Sequence, residues 1–190
     1  MVGISGASGA IYAVRLLQEL HGLNVETHLI MSTSAKETLV LETNYKPNYV
    51  ESLASQVYRF TDIAAAPASG SFRTDGMVVI PCSMKTLAGI ATGYADNLIL
   101  RAADVMLKER RPLVIVPREM PLNDIHLENM LRVSRAGAIV CPAMPGFYTR
   151  PKDLGDIVNH VVGNVLDLFG LKHELYERWT GPRKPRRGNK

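Results

Sequence analysis

The first ten residues constrain the fold more than any other stretch of the chain. Residues 1–10 read MVGISGASGA, a short apolar segment followed by a loop of glycine, serine and alanine, and residues 11–20 then repeat apolar side chains at helical spacing. A strand, a glycine-rich turn and a helix in this order bring free backbone N–H groups and the positive end of the helix dipole to one point. The pattern predicts an anion site, with the hydroxyls of Ser5 and Ser8 as further donors.

The spacing of the glycines narrows the choice of anion. The dinucleotide fingerprint is G-x-G-x-x-G, whereas the glycines here are Gly3, Gly6 and Gly9. A mononucleotide phosphate is therefore favoured over a pyrophosphate. The alternative is a turn of small residues that packs the helix against the sheet and binds no ligand.

The rest of the chain alternates strand-like and helix-like segments. Apolar runs of strand length occupy 25–31, 57–60, 77–81, 113–117 and 138–141, and helical patterns occupy 32–43, 49–56, 83–93, 95–110, 124–136 and 154–169. Ser34 and Glu37 have the spacing of a capping box at the start of the second helix. This alternation predicts one doubly wound α/β domain, Rossmann- or flavodoxin-like with a mainly parallel sheet, over residues 1–180.

Charge and hydropathy exclude several classes of partner. Five of the 22 basic residues lie in the last eight positions, and the other 17 nearly balance 18 acidic residues. Residues 181–190 are therefore predicted to be a flexible basic tail, and no nucleic-acid partner is expected. No apolar run reaches the roughly 18 residues that a membrane span needs, and no signal peptide is recognisable. We expect a cytoplasmic protein in which Cys82 and Cys141 are reduced and structural.

Side chains that follow strands are the candidates for chemistry, because ligands of a doubly wound sheet bind at the carboxyl ends of its strands. They are Ser32, the segment from Ser83 to Thr86, Arg118 with Glu119, and the loop 144–150 with Tyr148. Arg118 can bind a phosphate through two N–H groups, and Glu119 can move a proton. The alternatives are helix caps for the serines and a surface ion pair for 118 and 119.

Two further cations lie on the predicted helix 95–110. Arg101 and Lys108 are seven residues apart and therefore lie on one side of it. They suit either a second phosphate or a solvated face. The sequence has no Asp-Asp-x-x-Asp, no pair of histidines at metal spacing, no Walker lysine motif and no Gly-x-Ser-x-Gly. No metal site is predicted, and the five histidines are expected to be structural.

Taken together, several segments resemble the UbiX-type flavin prenyltransferases, in particular those that accompany hydroxyaromatic or phenolic acid decarboxylases. They are 3–9, 69–71, 81–86, 101–104, 107–113, 117–121, 125–131 and 145–148, within a resemblance that extends from Val2 to about Trp179. The resemblance implies a metal-independent transferase that joins a dimethylallyl group from dimethylallyl monophosphate to N5 and C6 of reduced FMN. The product, prenylated FMN, would serve a UbiD-type aromatic acid decarboxylase. It also implies a homo-oligomer, with trimers building a dodecamer and the flavin between subunits.

The resemblance also assigns residues. It implies FMN binding by Gly6, Ala7, Ser8, Ser32, Ser83, Met84, Lys85, Thr86 and Arg118. It implies binding of the dimethylallyl phosphate by Arg101, Lys108, Tyr148 and Trp179, and catalytic roles for Glu119, Ser8 and Glu42. Without an acidic cluster to hold magnesium, Arg101, Lys108 and Arg118 would stabilise the departing phosphate. This chain has Asn164 where the family usually has an Arg that touches the substrate phosphate, so no phosphate role is assigned to Asn164.

Two other functions remain as alternatives. A flavin-dependent cysteine decarboxylase of the phosphopantothenoylcysteine type shares the expected fold and FMN, but it needs a histidine base near the flavin after an early helix, and the segment 32–43 contains no histidine. A non-catalytic FMN carrier for the decarboxylase would have no use for a second phosphate site at Arg101 and Lys108.

Overall fold

A computed structural model describes residues 1–181, which form a parallel sheet covered by helices on both faces. In chain order the elements are β1 (Val2–Ile4), α1 (Ala10–Gly22), β2 (His28–Met31), α2 (Thr33–Glu42), α3 (Pro47–Ser52), β3 (Gln56–Tyr58), a 3₁₀ turn (Ala66–Ala68), β4 (Met77–Cys82), α4 (Met84–Thr92), α5 (Leu98–Lys108), β5 (Leu113–Pro117), α6 (Asp124–Arg135), β6 (Ile139–Val140) and α7 (Leu154–Leu168). The predicted α/β class is confirmed. The predicted tail, apart from its first residue, lies outside the described residues.

The sheet has the order β3-β2-β1-β4-β5-β6, and every neighbouring pair is parallel. The chain winds outward from β1 to β3 and then returns to the centre to wind the other way from β4 to β6. The order reverses between β1 and β4, and the carboxyl ends of these two strands form the crevice where such sheets bind ligands. The glycine-rich loop 5–9 leaves β1 at this point.

Alternate side chains along the central strands enter two separate cores. On one face, Val78, Ile80, Val114 and Val116 pack with α1, α2, α3 and α7. On the other face, Met77, Val79, Leu113 and Ile115 pack with α4, α5 and α6. Because the side chains of a strand alternate between the faces, both cores come from one continuous apolar run in each strand. The two faces carry different candidate site residues.

Several element boundaries differ from the sequence prediction, and three of the differences have a clear structural basis. β2 begins at His28 rather than at Val25, because β1 and β3 offer partners only from Leu29 and His28 onward. The predicted helix 49–56 is the shorter α3, and Gln56 already belongs to β3. α5 begins at Leu98 rather than at residue 95, because the side chain of Asn97 accepts the N–H of Leu100 and caps the helix.

The capping box predicted for the second helix is wrong. Ser32, not Ser34, is the N-cap of α2, and its hydroxyl accepts the N–H of Ala35 at 3.0 Å. Ser32 follows β2 directly, and its own N–H donates to Ile4 in β1, so the sheet fixes where the helix starts.

Among residues 1–181, no helix combines the length and the apolar character that crossing a bilayer requires.

Candidate functional site

The glycine-rich loop is shaped by two close approaches. Gly9 is the N-cap residue of α1 and has φ of 102°, a conformation that side chains with a Cβ rarely adopt. At Gly6, a Cβ would lie 2.6 Å from the Cβ of Ser34 at the start of α2. The loop therefore needs glycine at both positions to bring the starts of α1 and α2 together.

Glu42 occupies the N-terminus of α1. Its Oε2 accepts the N–H of Gly9 at 2.7 Å and that of Ala10 at 3.3 Å, and Ser8 adds a side-chain hydrogen bond. Burial opposes ionisation of the carboxyl group, but these three hydrogen bonds, together with the nearby Arg118, outweigh it and hold the pKa of Glu42 below its usual range. The start of α1 therefore binds an ionised carboxylate of the same chain, and phosphate binding by the glycine-rich loop stays a prediction.

Ser5 does not serve as the free donor that the sequence predicts. Its hydroxyl donates to the carbonyl of Pro81 at 2.9 Å and accepts the N–H of Ser83 at 2.8 Å, and the residue is buried. Both partners belong to the carboxyl end of β4 and the start of the next helix. The physical role of Ser5 is to join β1 to β4 at the point where the strand order reverses.

The hydroxyl groups after β2 and β4 lie at the starts of two helices. Ser32 caps α2, and Ser83 caps α4 by accepting the N–H of Thr86 at 3.3 Å. Ser83 also donates its own hydroxyl to that of Thr86 at 3.1 Å. Met84 and Lys85 form the first turn of α4, where backbone N–H groups have no partner within the helix. This pair of capped helix starts can bind a phosphate through hydroxyls and backbone N–H groups together.

Arg118 and Glu119 follow β5 at the same edge of the sheet. The N–H of Arg118 donates to the carbonyl of Cys82, and the residue is exposed. The positive charge of Arg118 contributes to the lowered pKa of Glu42. Burial raises the pKa of Tyr12, and the charge of Arg118 opposes that rise. Glu119 is exposed, and its Oε1 accepts the N–H of Met120 at 3.0 Å. Ser8, Glu42 and Arg118 therefore form one group.

Arg101 and Lys108 lie on the other face of the sheet, on α5. The Nε of Arg101 donates to the carbonyl of Ala68 at 3.0 Å, and its Nη1 pairs with Asp104 at 2.7 Å. Lys108 pairs with Glu109, and a Cβ on Gly70 would lie 2.6 Å from its Nζ. Both cations border the segment 66–70 rather than the glycine-rich loop. Within one chain, the residues of the predicted site therefore lie in two separate places.

Tyr148 and Trp179 lie together on the face that carries α7. Their rings are in edge-to-face contact, with centroids 5.8 Å apart. The hydroxyl of Tyr148 is 3.2 Å from Nε2 of His160, and the His160 ring packs against Tyr176. Asn164 donates to the carbonyl and to Nδ1 of His160 rather than pointing away from the protein. No sequence motif links His160 to Tyr148 or Tyr176, which lie 12 and 16 positions away, so the sequence alone predicts only a structural role for this histidine.

An ionic contact that the sequence did not predict holds the segment after α7. Arg178 donates to both carboxylate oxygens of Asp167, at 2.6 and 2.9 Å, and the hydroxyl of Tyr176 donates to the same group at 2.9 Å. Hydrogen bonding to Arg178 is the main cause that lowers the pKa of Asp167 to about 2. Burial, with a contribution from Asp167, raises the pKa of Tyr176 to about 12. This contact fixes the residue before Trp179.

A separate cavity and two cysteine thiols lie outside the groups described so far. A cavity of about 390 Å³ lies at the amino ends of the strands, bordered by Val2, His28, Gly76 and Phe169, and is therefore at the edge opposite the glycine-rich loop. Within the described part of the chain, no group of three or more His, Cys, Asp or Glu side chains is arranged to hold a metal ion. Cys82 and Cys141 are free thiols, and burial raises the pKa of both.

Comparison with known proteins gives consistent similarities. The chain matches the Flavoprotein family over residues 1–166. It is 59% identical over 182 residues to a probable UbiX-like flavin prenyltransferase of Escherichia coli O157:H7. The aligned region covers 95% of this chain and 92% of that protein. It superposes with a TM-score of 0.93 on a dodecameric FMN-dependent UbiX-like decarboxylase from Escherichia coli O157:H7, at 60% identity and over 95% of this chain and 98% of that one. The TM-score is also 0.93 for AnUbiX (PadA1) in complex with FMN and dimethylallyl pyrophosphate, at 53% identity and over 95% and 96% of the two chains.

Proposed function

Because this chain belongs to the Flavoprotein family and, within it, to the UbiX-like flavin prenyltransferases, we propose that it is an enzyme that prenylates FMN. The reaction transfers a dimethylallyl group from dimethylallyl monophosphate to N5 and C6 of reduced FMN. The observation that carries the proposal is the group formed by Ser8, Glu42 and Arg118, which combines a proton acceptor with a fixed cation at the crevice between β1 and β4.

The donor groups of this edge suit FMN. The capped starts of α2 and α4, with Ser32, Ser83 and Thr86, offer hydroxyls and backbone N–H groups for its phosphate, and Arg118 adds charge. Gly6, Ala7, Met84 and Lys85 complete the proposed FMN-binding set. Bound reduced FMN supplies the nucleophilic positions N5 and C6. The starts of α2 and α4 are favoured for the phosphate because Glu42 already fills the start of α1.

The phosphate of the donor substrate requires positive charge, because the bond to the allylic carbon breaks with the electron pair on the phosphate. We assign Arg101, Lys108 and Arg118 to this charge, with Tyr148 and Trp179 beside the five-carbon group. Such fixed cations can substitute for a metal in stabilising a leaving monophosphate. Glu119 takes the proton lost from the flavin, and Glu42 with Ser8 holds or moves a proton beside the glycine-rich loop.

The division of the site between two faces favours an oligomeric enzyme. Arg101 and Lys108 border the segment 66–70, whereas Glu42 and Ser8 lie at the start of α1 on the other face. A site that needs both groups is completed when a second copy of the chain contributes one of them. The described surface also exposes large apolar side chains, among them Leu41, Met120, Ile125 and Phe147, each at least 67% exposed. We propose trimers that build a dodecamer, and the relative from Escherichia coli O157:H7 is dodecameric.

The cellular setting follows from the same proposal. Prenylated FMN would be passed to a UbiD-type aromatic acid decarboxylase, since the product is a cofactor rather than an end product. Two free thiols suit a reducing compartment, and we propose that the enzyme works in the cytoplasm without nucleic-acid or membrane partners.

One experiment separates this function from its alternatives. The protein is mixed anaerobically with reduced FMN and dimethylallyl monophosphate, and the flavin mass is followed with and without a metal chelator. A gain of one five-carbon unit that the chelator leaves unchanged is the expected result. In a parallel assay with oxidised FMN as electron acceptor, release of carbon dioxide from an added cysteine peptide would instead indicate a cysteine decarboxylase. Binding of FMN without modification in either assay would indicate a carrier. A rate abolished by the chelator would contradict the assignment of the leaving-group charge to Arg101, Lys108 and Arg118.

A further inference from the structure

His160 makes hydrogen bonds through both ring nitrogens. Its side chain lies on α7 in a buried position, with 7% of the residue exposed. Nδ1 lies 3.3 Å from the backbone nitrogen of Gly146, and Nε2 lies 3.2 Å from the hydroxyl oxygen of Tyr148. Both partners belong to the loop after β6, so one ring bridges the helix to that loop.

The chemistry of these partners fixes the tautomer of His160. A backbone N–H can only donate, so Nδ1 must be the accepting, unprotonated nitrogen. A neutral imidazole carries its single hydrogen on the other nitrogen, and burial lowers the pKa of His160, which keeps the ring neutral. Nε2 therefore carries the hydrogen and donates it to the oxygen of Tyr148.

Asn164 supports the same tautomer independently. Its terminal atom Nδ2 lies 2.7 Å from the carbonyl oxygen of His160. A carbonyl oxygen only accepts, so the atom facing it is the amide nitrogen and not the amide oxygen. The same nitrogen lies 3.3 Å from Nδ1 of His160, which gives Nδ1 a second donor. Two donors on Nδ1 leave no position for a hydrogen there.

The tautomer determines what the Tyr148 hydroxyl can do. Because its oxygen accepts a hydrogen from His160, its own hydrogen must point elsewhere, and Tyr148 is 47% exposed. The loop is packed closely enough to preserve this geometry, since a Cβ on Gly146 would lie 2.9 Å from the Tyr148 ring. The outward hydroxyl is then an oriented donor, which suits an acceptor such as a phosphate oxygen.

We propose that His160, held by Asn164 and the Gly146 N–H, is a positioning residue that makes the Tyr148 hydroxyl a fixed donor to the phosphate of the dimethylallyl substrate. The identity of that anion rests on the proposed function. The hydrogen positions do not, because they follow from contacts within the chain. Asn164 thus contributes through the orientation of His160 and adds no charge to the site.

Neutron diffraction from the deuterium-exchanged protein tests the hydrogen positions without any substrate. The expected result is deuterium on Nε2 of His160, none on Nδ1, and a phenolic deuterium of Tyr148 directed away from the ring of His160. Deuterium on Nδ1, or a phenolic deuterium directed at His160, would overturn the proposal.

Kinetics test the consequence, with His160→Phe as a variant that keeps a ring but loses both hydrogen bonds. We expect the KM for dimethylallyl monophosphate to rise about tenfold, the loss typical of one oriented hydrogen bond, while FMN affinity stays unchanged. In His160→Gln the amide nitrogen reaches the position of Nε2, and much of the loss should be restored. His28→Phe is the matched control, because His28 also bonds a tyrosine hydroxyl, that of Tyr58 at 3.0 Å, at the opposite edge of the sheet.

A double-mutant cycle separates orientation from general packing. If His160 acts through the Tyr148 hydroxyl, His160→Phe should have no further effect on the KM when Tyr148 is already Phe. An undiminished effect in the Tyr148→Phe background would refute the positioning role. If the wild-type protein itself transferred no prenyl group, the proposed function would fail, whereas the neutron result would still decide the tautomer.

Discussion

The carboxylate of Glu42 accepts the N–H of Gly9 at 2.7 Å, across 33 positions of the chain. The last residue of α2 thereby caps α1, and a negative charge lies where the helix dipole is most positive. The end of the glycine-rich loop is consequently occupied from within the protein. Ser8 and Arg118 help to hold this carboxylate ionised. Under the proposed function, the same group also exchanges a proton beside the bound flavin.

Glu42→Gln should retain FMN and lose turnover. The amide oxygen can still accept from Gly9, so the loop keeps its shape, but the ionisable group that holds or moves a proton beside the loop is gone. We expect prenyl transfer to slow by about 100-fold or more, as for loss of a general acid or base. Rates are measured by flavin mass, with Glu37→Gln on the same helix as the control. A rate within about twofold of wild type would contradict the assigned role.

Glu119→Gln should also bind FMN normally and form product slowly. Glu119 is exposed after β5, and its side chain accepts the N–H of the adjacent Met120. Loss of this one surface contact should leave the free energy of unfolding nearly unchanged. Single-turnover product formation is expected to fall by about 100-fold, with thermal unfolding as the control measurement. Unaltered turnover would refute its role as the proton acceptor.

Ser8→Tyr should block flavin uptake. The glycine-rich loop lies in the crevice where the strand order reverses, and a large side chain there would fill space needed by a planar ring system. We expect the protein to fold but to bind FMN at least about tenfold more weakly, measured by flavin fluorescence. Ser52→Tyr, at the exposed end of α3, is the matched control. If Ser8→Tyr took up a full complement of FMN, the flavin would have to bind elsewhere.

Mixed oligomers test whether two copies share one site. Glu42→Gln and Arg101→Gln should each be nearly inactive alone. If the two residues act in the same site from different copies, dissociation and reassembly of an equal mixture should recover a measurable fraction of wild-type activity, because some sites then contain neither change. Mixing Glu42→Gln with Ser8→Tyr is the control, since both changes lie in one part of the site. Equal activity in the two mixtures would contradict a shared site.

Acid should release the segment that carries Trp179. The pKa of Asp167 is lowered from 3.8 to about 2 in the folded protein, chiefly by Arg178. The stabilisation is therefore fully present above about pH 4 and is lost as the pH falls toward 2. Trp179 is the only tryptophan, so its fluorescence anisotropy should fall in that window. Arg178→Gln should lower the anisotropy already at neutral pH, whereas Arg150→Gln should not; wild-type anisotropy in Arg178→Gln would refute the ionic contact.

Most of the fold could be predicted because the signal is local. The apolar run of β5 has the predicted bounds 113–117, and α6 differs from its prediction only in its last residue. Two of the errors arose where a distant strand sets the boundary. Residues 25–27 have strand-like side chains but no neighbouring strand to pair with, and Ser32 rather than Ser34 caps α2 because β1 fixes its backbone.

The candidate site was less predictable, because its contacts join remote parts of the chain. Arg118 and Ser83 could be proposed from their positions after apolar runs. No pattern signals that Ser5 bonds across to Pro81, or that His160 meets Tyr148, because such contacts depend on how the loops close in three dimensions. A short polar residue at the end of a predicted strand, next to the point where the strand order reverses, is the one signal that could have suggested the role of Ser5.

The placement of Arg101 and Glu42 on opposite faces of the sheet has a genetic consequence under the proposed shared site. In a cell that produces normal and defective chains together, each defective copy would disable a site belonging partly to its normal neighbour. Two different lesions, one on each face, could in contrast compensate each other in the same cell. The pattern of inheritance would then report which face a mutation has damaged.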